Sequence, residues 1–234
     1  MMRFSALFVF ISLGCGALAQ TPARPARSEI WDLKIGAPLA AQPDDFVDFA
    51  CGTIGGPPSI PLRGWSEFKR CRTEDTGLRE VYFRYDDEME YWARANNLPG
   101  EIDRYGGTKT YGFPIVTSGL VSEDGVLRGL RIVSDPRYDA NRDEAYVLKN
   151  FLTARFGRDG WTCEDLPREE GETAVDGLYI KQRCARDLGE KGVATMWVRH
   201  LRKAGQSRID PRSGKQTFNQ FESLVRFDLI AAPR

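Results

Sequence analysis

Two well-separated stretches of this 234-residue chain carry the same pattern. From Gly64 the sequence reads GWSEFKRC and then, from Gly77, GLREVYFRY; from Gly177 it reads GLYIKQRC and then, from Gly192, GVATMWVRH. In each copy a Gly opens a strand-like run that ends in an Arg-Cys pair, Arg70-Cys71 in one and Arg183-Cys184 in the other. A short loop then leads to a second strand-like run ending in apolar, Arg, aromatic. Self-similarity on this scale predicts a duplicated structural unit and so a fold of two related halves.

The cysteines fit the same plan. Cys71 and Cys184 are equivalent in the two copies, and each has another cysteine upstream at almost the same distance, Cys51 and Cys163. Of the five cysteines, Cys15 is expected to leave with an N-terminal signal peptide; the even number that remains in an exported chain implies disulfides, and four allow three connectivities. The repeat selects Cys51 with Cys71 and Cys163 with Cys184, one staple per half. A four-thiolate zinc site is the weaker alternative, because the spacings contain no close Cys pair. No metal is therefore expected.

Export is read from the N-terminus. Arg3 supplies a positive start, Ala6 to about Leu13 an apolar stretch, and Ala17-Leu18-Ala19 a small-residue cleavage site near Ala19. The apolar run is shorter than the roughly 20 residues a membrane-spanning helix needs. Cys15 offers a lipid-anchor alternative, against which Ser12 stands where such signals carry an aliphatic residue. The expected location is a bacterial periplasm or the exterior. Lys and Arg total 33 against 33 Asp and Glu, so no bulk attraction to nucleic acid or an anionic membrane follows.

The chain divides into a signal peptide over 1–19, a Pro- and Arg-rich linker over 20–30, a first half over 31–136 and a second over 137–234. In the first half a short helix is expected around Pro43-Asp44-Asp45 and Phe46, Phe49 and Ala50, then strands at about Trp65 to Arg72 and Leu78 to Tyr85. An acidic-fronted helix from Asp86 to Asn97 reads as part of an insertion over 86–107. Asp124-Gly125 marks the tight turn of a hairpin. The second half opens with a helix from Asp143 to Phe156, ended by Gly157, and continues in strands. The expected class is α+β, each half a helix packed on an antiparallel sheet.

Few residues carry chemistry. The sole histidine, His200, shares a strand face with Met196 and Val198 and reads as structural. With one His and no free thiol expected, nucleophilic triads are largely excluded. Asp86, Asp87, Glu88 and Glu90 form an acidic cluster that permits a calcium site, though without the calcium-loop spacing, or a glycosidase-like acid pair, set against an ordinary helix start. Tyr82 and Arg84 in the first copy match Trp197 and Arg199 in the second. An aromatic with an Arg two residues on can stack on a sugar or grip an anion; equally, Arg stems can cover aromatics across strands.

The duplicated plan with one disulfide per half, together with IGAPLAAQPDDF from Ile35 to Phe46, resembles exported tandem-repeat inhibitors of the β-lactamase-inhibitor type. The resemblance is one of architecture and implies no activity. The resulting expectation is a non-enzymatic envelope module without a cofactor that binds an envelope protein or a saccharide. A carboxylate-dependent glycan hydrolase and a purely structural secreted protein are the alternatives.

Overall fold

The computed structural model describes residues 28–85, 93, 95–100, 108–135, 145–209, 215–218 and 220–232. Residues 1–27, over which the signal peptide with Cys15 and most of the linker are expected, lie outside them, as does the acidic stretch 86–92. Of the expected helix from Asp86 to Asn97, Ala93 and Ala95 are described and are helical. Among the described residues no helix is long and apolar enough to cross a membrane.

The described chain is mostly antiparallel sheet. Its strands are β1 (Val47–Cys51), β2 (Arg79–Arg84), β3 (Lys109–Thr110), β4 (Phe113–Val121), β5 (Leu127–Ser134), β6 (Thr162–Asp165), β7 (Glu172–Thr173), β8 (Ile180–Asp187), β9 (Val193–Lys203), β10 (Ser207–Ile209), β11 (Gln216–Phe218) and β12 (Glu222–Ile230). Ten of them form one sheet in the order β1-β2-β4-β5-β12-β9-β8-β6, with β3 on β4 and β7 on β9; β10 and β11 form a separate hairpin. A 3-10 turn, Ala145–Val147, runs into a short helix, α1 (Leu148–Arg155).

One face of the sheet holds the main core. Alternation along β12 and β9 turns Val225, Phe227, Met196 and Val198 to this face, all fully buried. Leu148 and Leu152 of α1, Ile30 and Leu39 of the N-terminal segment, and Trp65 and Phe68 join the same cluster. Phe46 stacks on Phe83 at 4.3 Å between ring centroids. Gly119 of β4 leaves the space that Trp65 fills, since a Cβ there would come 2.9 Å from the indole ring. Burying rings of this size contributes about 1.5–3 kcal/mol each.

The expected α+β tandem repeat is not what forms. Trp65–Arg70 is a 3-10 helix, whereas its counterpart in the second copy lies largely in β8. The spacing of the apolar residues explains the difference. Trp65 and Phe68 are three apart and share one side of a 3-10 turn, while β8 alternates through Ile180, Gln182 and Cys184 toward the core face. The matched runs β2 and β9 also hold different places, β2 next to the edge strand β1 and β9 between β12 and β8.

The helix expected from Phe46, Phe49 and Ala50 is strand β1. A register shift between Val47 and Ala50, with Asp48 at φ 54°, lets Phe46 and Phe49 both reach Trp65. A bulged strand thus reproduces a three-residue apolar spacing. Ile35 to Phe46 holds a short 3-10 turn at Leu39–Ala41, not a strand leading to a helix, so the fold does not carry the resemblance to tandem-repeat inhibitors.

Both disulfides are present, Cys51–Cys71 and Cys163–Cys184, at sequence separations of 20 and 21. The first ties β1 to the chain that follows the 3-10 helix. The second joins residues directly opposite each other on β6 and β8. Residues 31–136 and 137–234 contribute to one continuous sheet, joined where β5 pairs with β12 from Arg226↔Val133 to Ile230↔Gly129.

Candidate functional site

The second face of the sheet is partly roofed and partly open. Following the register across the strands, Tyr82, Ser118, Arg131, Asp228 and Thr195 form one row on this face. The next row contains Val116, Val133, Arg226, Trp197 and Arg183. Tyr82, Arg84, Trp197 and Arg199 therefore share a face. They do not share a site, because β2 and β9 are four strand steps apart, about 19 Å.

The two pairs also have different surroundings. Tyr82 is buried with Ala50 and Val116. Arg84 is ion-paired with Asp48 of β1 at 2.9 Å. Trp197 and Arg199 are half-buried and border a groove of about 390 Å³, with Thr53 to Gly56 on one wall and Val133, Leu224, Glu222 and Arg226 on the others. Arg199 pairs with Glu222 at 3.2 Å.

Register decides what stands beside Trp197. Arg183 of β8 and Arg226 of β12 are its direct partners on either side, and their guanidinium carbons lie 5.5 and 5.1 Å from the indole centroid. Since β8 and β12 flank β9, the two cations approach the ring from opposite sides. The ring is therefore a spacer in an Arg-Trp-Arg ladder across three strands, not an open plate for a sugar. Sequence reading named Trp197 and Arg199 but missed Arg183 and Arg226. Arg183 was in view as half of the Arg-Cys pair, and alternation in β8 places it opposite Cys184 in facing; only the strand order makes Arg226 a neighbour.

A buried ionic network fixes the groove wall. Arg131, 2% exposed, donates through Nε to Asp228 Oδ1 at 2.8 Å and through both terminal nitrogens to Glu74 at 2.7 and 3.1 Å. Its Nη1 also lies 2.8 Å from Glu80 Oε2. Burial acts to lower the Arg131 pKa, but the side chains of Glu74, Asp228 and Glu80 outweigh it and leave the pKa raised. Glu80 in turn accepts the backbone N–H groups of Ile54 and Gly55, and Asp228 accepts from Arg226 Nη2 at 2.7 Å. An unbroken chain of charged contacts thus runs from the 52–56 loop to the ladder.

His200 is buried, with Nδ1 3.2 Å from Ser223 Oγ and its ring against Tyr146 and Phe221. Asp86, Asp87, Glu88 and Glu90 lie outside the described residues. Among the described residues no group of His, Cys, Asp and Glu has metal-binding geometry. Lys181 and Glu172 form a second buried pair at 3.0 Å under the β7 loop, with Tyr179 donating to Glu172 at 2.7 Å.

No protein family, no curated protein and no solved structure matches this chain.

Proposed function

We propose that this protein is an exported, non-enzymatic envelope module that binds an acidic segment of another envelope protein through the guanidinium ladder beside Trp197. The observation that carries the reading is Arg183. It is exposed, aligned by the Trp197 ring, and has no carboxylate at ion-pair distance among the described residues. A preorganised guanidinium costs little entropy to engage and offers two parallel N–H bonds to a carboxylate. Arg199 and Arg226 stand beside it along the groove, each held by a carboxylate, Glu222 and Asp228, and Trp and Arg are the residue types that dominate binding energy at interfaces. Two disulfides support an oxidising compartment, in keeping with the signal-like N-terminus.

The test is capture from periplasmic extract by immobilised protein. A species retained by the wild type, displaced by soluble polyglutamate and lost with the Arg183→Gln/Arg199→Gln double variant is the expected result. The same species retained equally by a natively folded double variant would remove the ladder as the site.

A further inference from the structure

A cluster of aromatic rings stands elsewhere on the surface, clear of the groove. Trp31 comes from the N-terminal 3-10 turn, Tyr111 from the β3–β4 turn, Phe113 from β4, and Phe151 with Arg155 from α1, four residues apart on one helix face. Tyr111 and Phe151 lie nearly parallel at 5.3 Å and 18°, and Phe113 meets Phe151 at 5.8 Å. Trp31 lies 6.2 Å from Tyr111. Tyr111 and Phe151 are 40% and 42% exposed.

Two features show that these rings are held in place. Tyr111 and Gly112 form a two-residue hairpin turn with φ of 51° and 79°, a conformation that favours Asn, Asp or Gly at the position Tyr111 occupies. The chain keeps an aromatic there at a conformational cost. Arg155 lies with its guanidinium 3.8 Å above the Trp31 ring and donates to the Tyr111 hydroxyl at 3.4 Å. Among the described residues it has no carboxylate at ion-pair distance.

We infer that this platform is a second binding site, for a saccharide that carries a carboxylate. The exposed rings present apolar surface to the C–H face of a pyranose, and Arg155, fixed on Trp31, faces the acid group. A protein partner fits less well. Stable protein interfaces bury about 800 Å² per partner, whereas the exposed apolar surface here is two rings flanked by half-buried Trp31 and Phe113. That area matches about one sugar ring.

Calorimetric titration with trigalacturonate, using cellotriose as the uncharged probe and hexaglutamate as the peptide-like anion, tests the assignment. The Arg183→Gln/Arg199→Gln protein, whose ladder no longer grips an anion, is expected to bind trigalacturonate at least tenfold more tightly than either control. Phe151→Ala and Arg155→Gln should each weaken that binding at least tenfold with native circular dichroism, and Trp197→Ala should leave it unchanged. The surface change Arg155→Gln keeps the test valid if the ring variant folds poorly. Absence of trigalacturonate binding, equal binding of cellotriose, tighter binding of hexaglutamate, or loss of binding in Trp197→Ala would each overturn the inference. Because Arg183 and Arg199 are already replaced in the titrated protein, hexaglutamate bound at the ladder cannot mask the outcome, and the result stands apart from that of the ladder.

Discussion

Arg131 and Asp228 face each other across the β5–β12 pair, Nε to Oδ1 at 2.8 Å, with both side chains almost wholly buried. Glu74 and Glu80 complete the cage around the guanidinium. Removing the cation would leave three carboxylates crowded in a low-dielectric setting. Arg131→Met is expected to cost about 3–5 kcal/mol, the usual range for breaking a buried charge pair from one side. Urea unfolding of the two proteins measures it, and a loss under about 1 kcal/mol would show that the cage relaxes.

Acid should act through Glu172. Burial works to raise its pKa, but the Glu169 backbone N–H, the Tyr179 hydroxyl and the Lys181 ammonium outweigh this and bring it from 4.5 to about 2. A depressed folded pKa contributes stability that is fully present above the unfolded value and is lost as pH falls through the folded one. The wild-type urea midpoint should therefore fall between pH 4.5 and 2, and Glu172→Gln should be less stable at pH 7 with a flatter acid limb. An acid limb equally steep in Glu172→Gln would assign the effect to other carboxylates.

Gly129 sits in β5 where a Cβ would collide with the backbone carbonyl oxygen of Leu229 in β12. Neither backbone can yield without parting the central strand pair. Gly129→Ala is expected to destabilise by at least about 1–3 kcal/mol, as overpacking does. Gly77→Ala is a control for general glycine effects, since a Cβ there meets nothing within 4 Å, although its φ of 77° adds local strain. Thermal denaturation should order the variants Gly129 below Gly77; the reverse order would show that β5 and β12 separate easily.

The Cys51–Cys71 bridge closes the chain that includes the 52–56 loop and the groove wall. Replacing both cysteines with Ala is expected to cost about 3 kcal/mol through the freed unfolded chain. Hydrogen exchange at Ile54 and Gly55, whose N–H groups bond Glu80, should accelerate more than exchange in β9. Equal acceleration in both places would mean that the bridge acts only on global stability.

The cysteine pairing was readable in the sequence because equal spacing is a one-dimensional property. The β4–β5 hairpin, with Asp124-Gly125 at its turn, was readable for the same reason. The overall class was not. A matching spelling in GWSEFKRC and GLYIKQRC concealed different periods, a 3-10 turn in one and an alternating strand in the other. Trp197 and Arg199 were visible because i and i+2 share a strand face. Arg226, Glu222 and the 53–56 loop were not, since sheet order brings them there from distant parts of the chain. Tyr111 drew no attention, and Phe151 reads in the sequence as part of the helix's apolar face with Leu148 and Leu152, whereas it is exposed beside them; its contact with Tyr111 depends on where α1 docks.

β12, the last of the described strands, occupies the middle of the sheet, between β5 and β9. Chain that emerges N-terminus first must hold β5 and β9 as raw edges until β12 arrives, and unpaired edges invite pairing with other molecules. Assembly is therefore an end-loaded event in which the keystone is delivered last. A ribosome that still holds β12 keeps the whole sheet unfinished, so a shortened chain lacking 222–230 should aggregate rather than fold into a smaller domain.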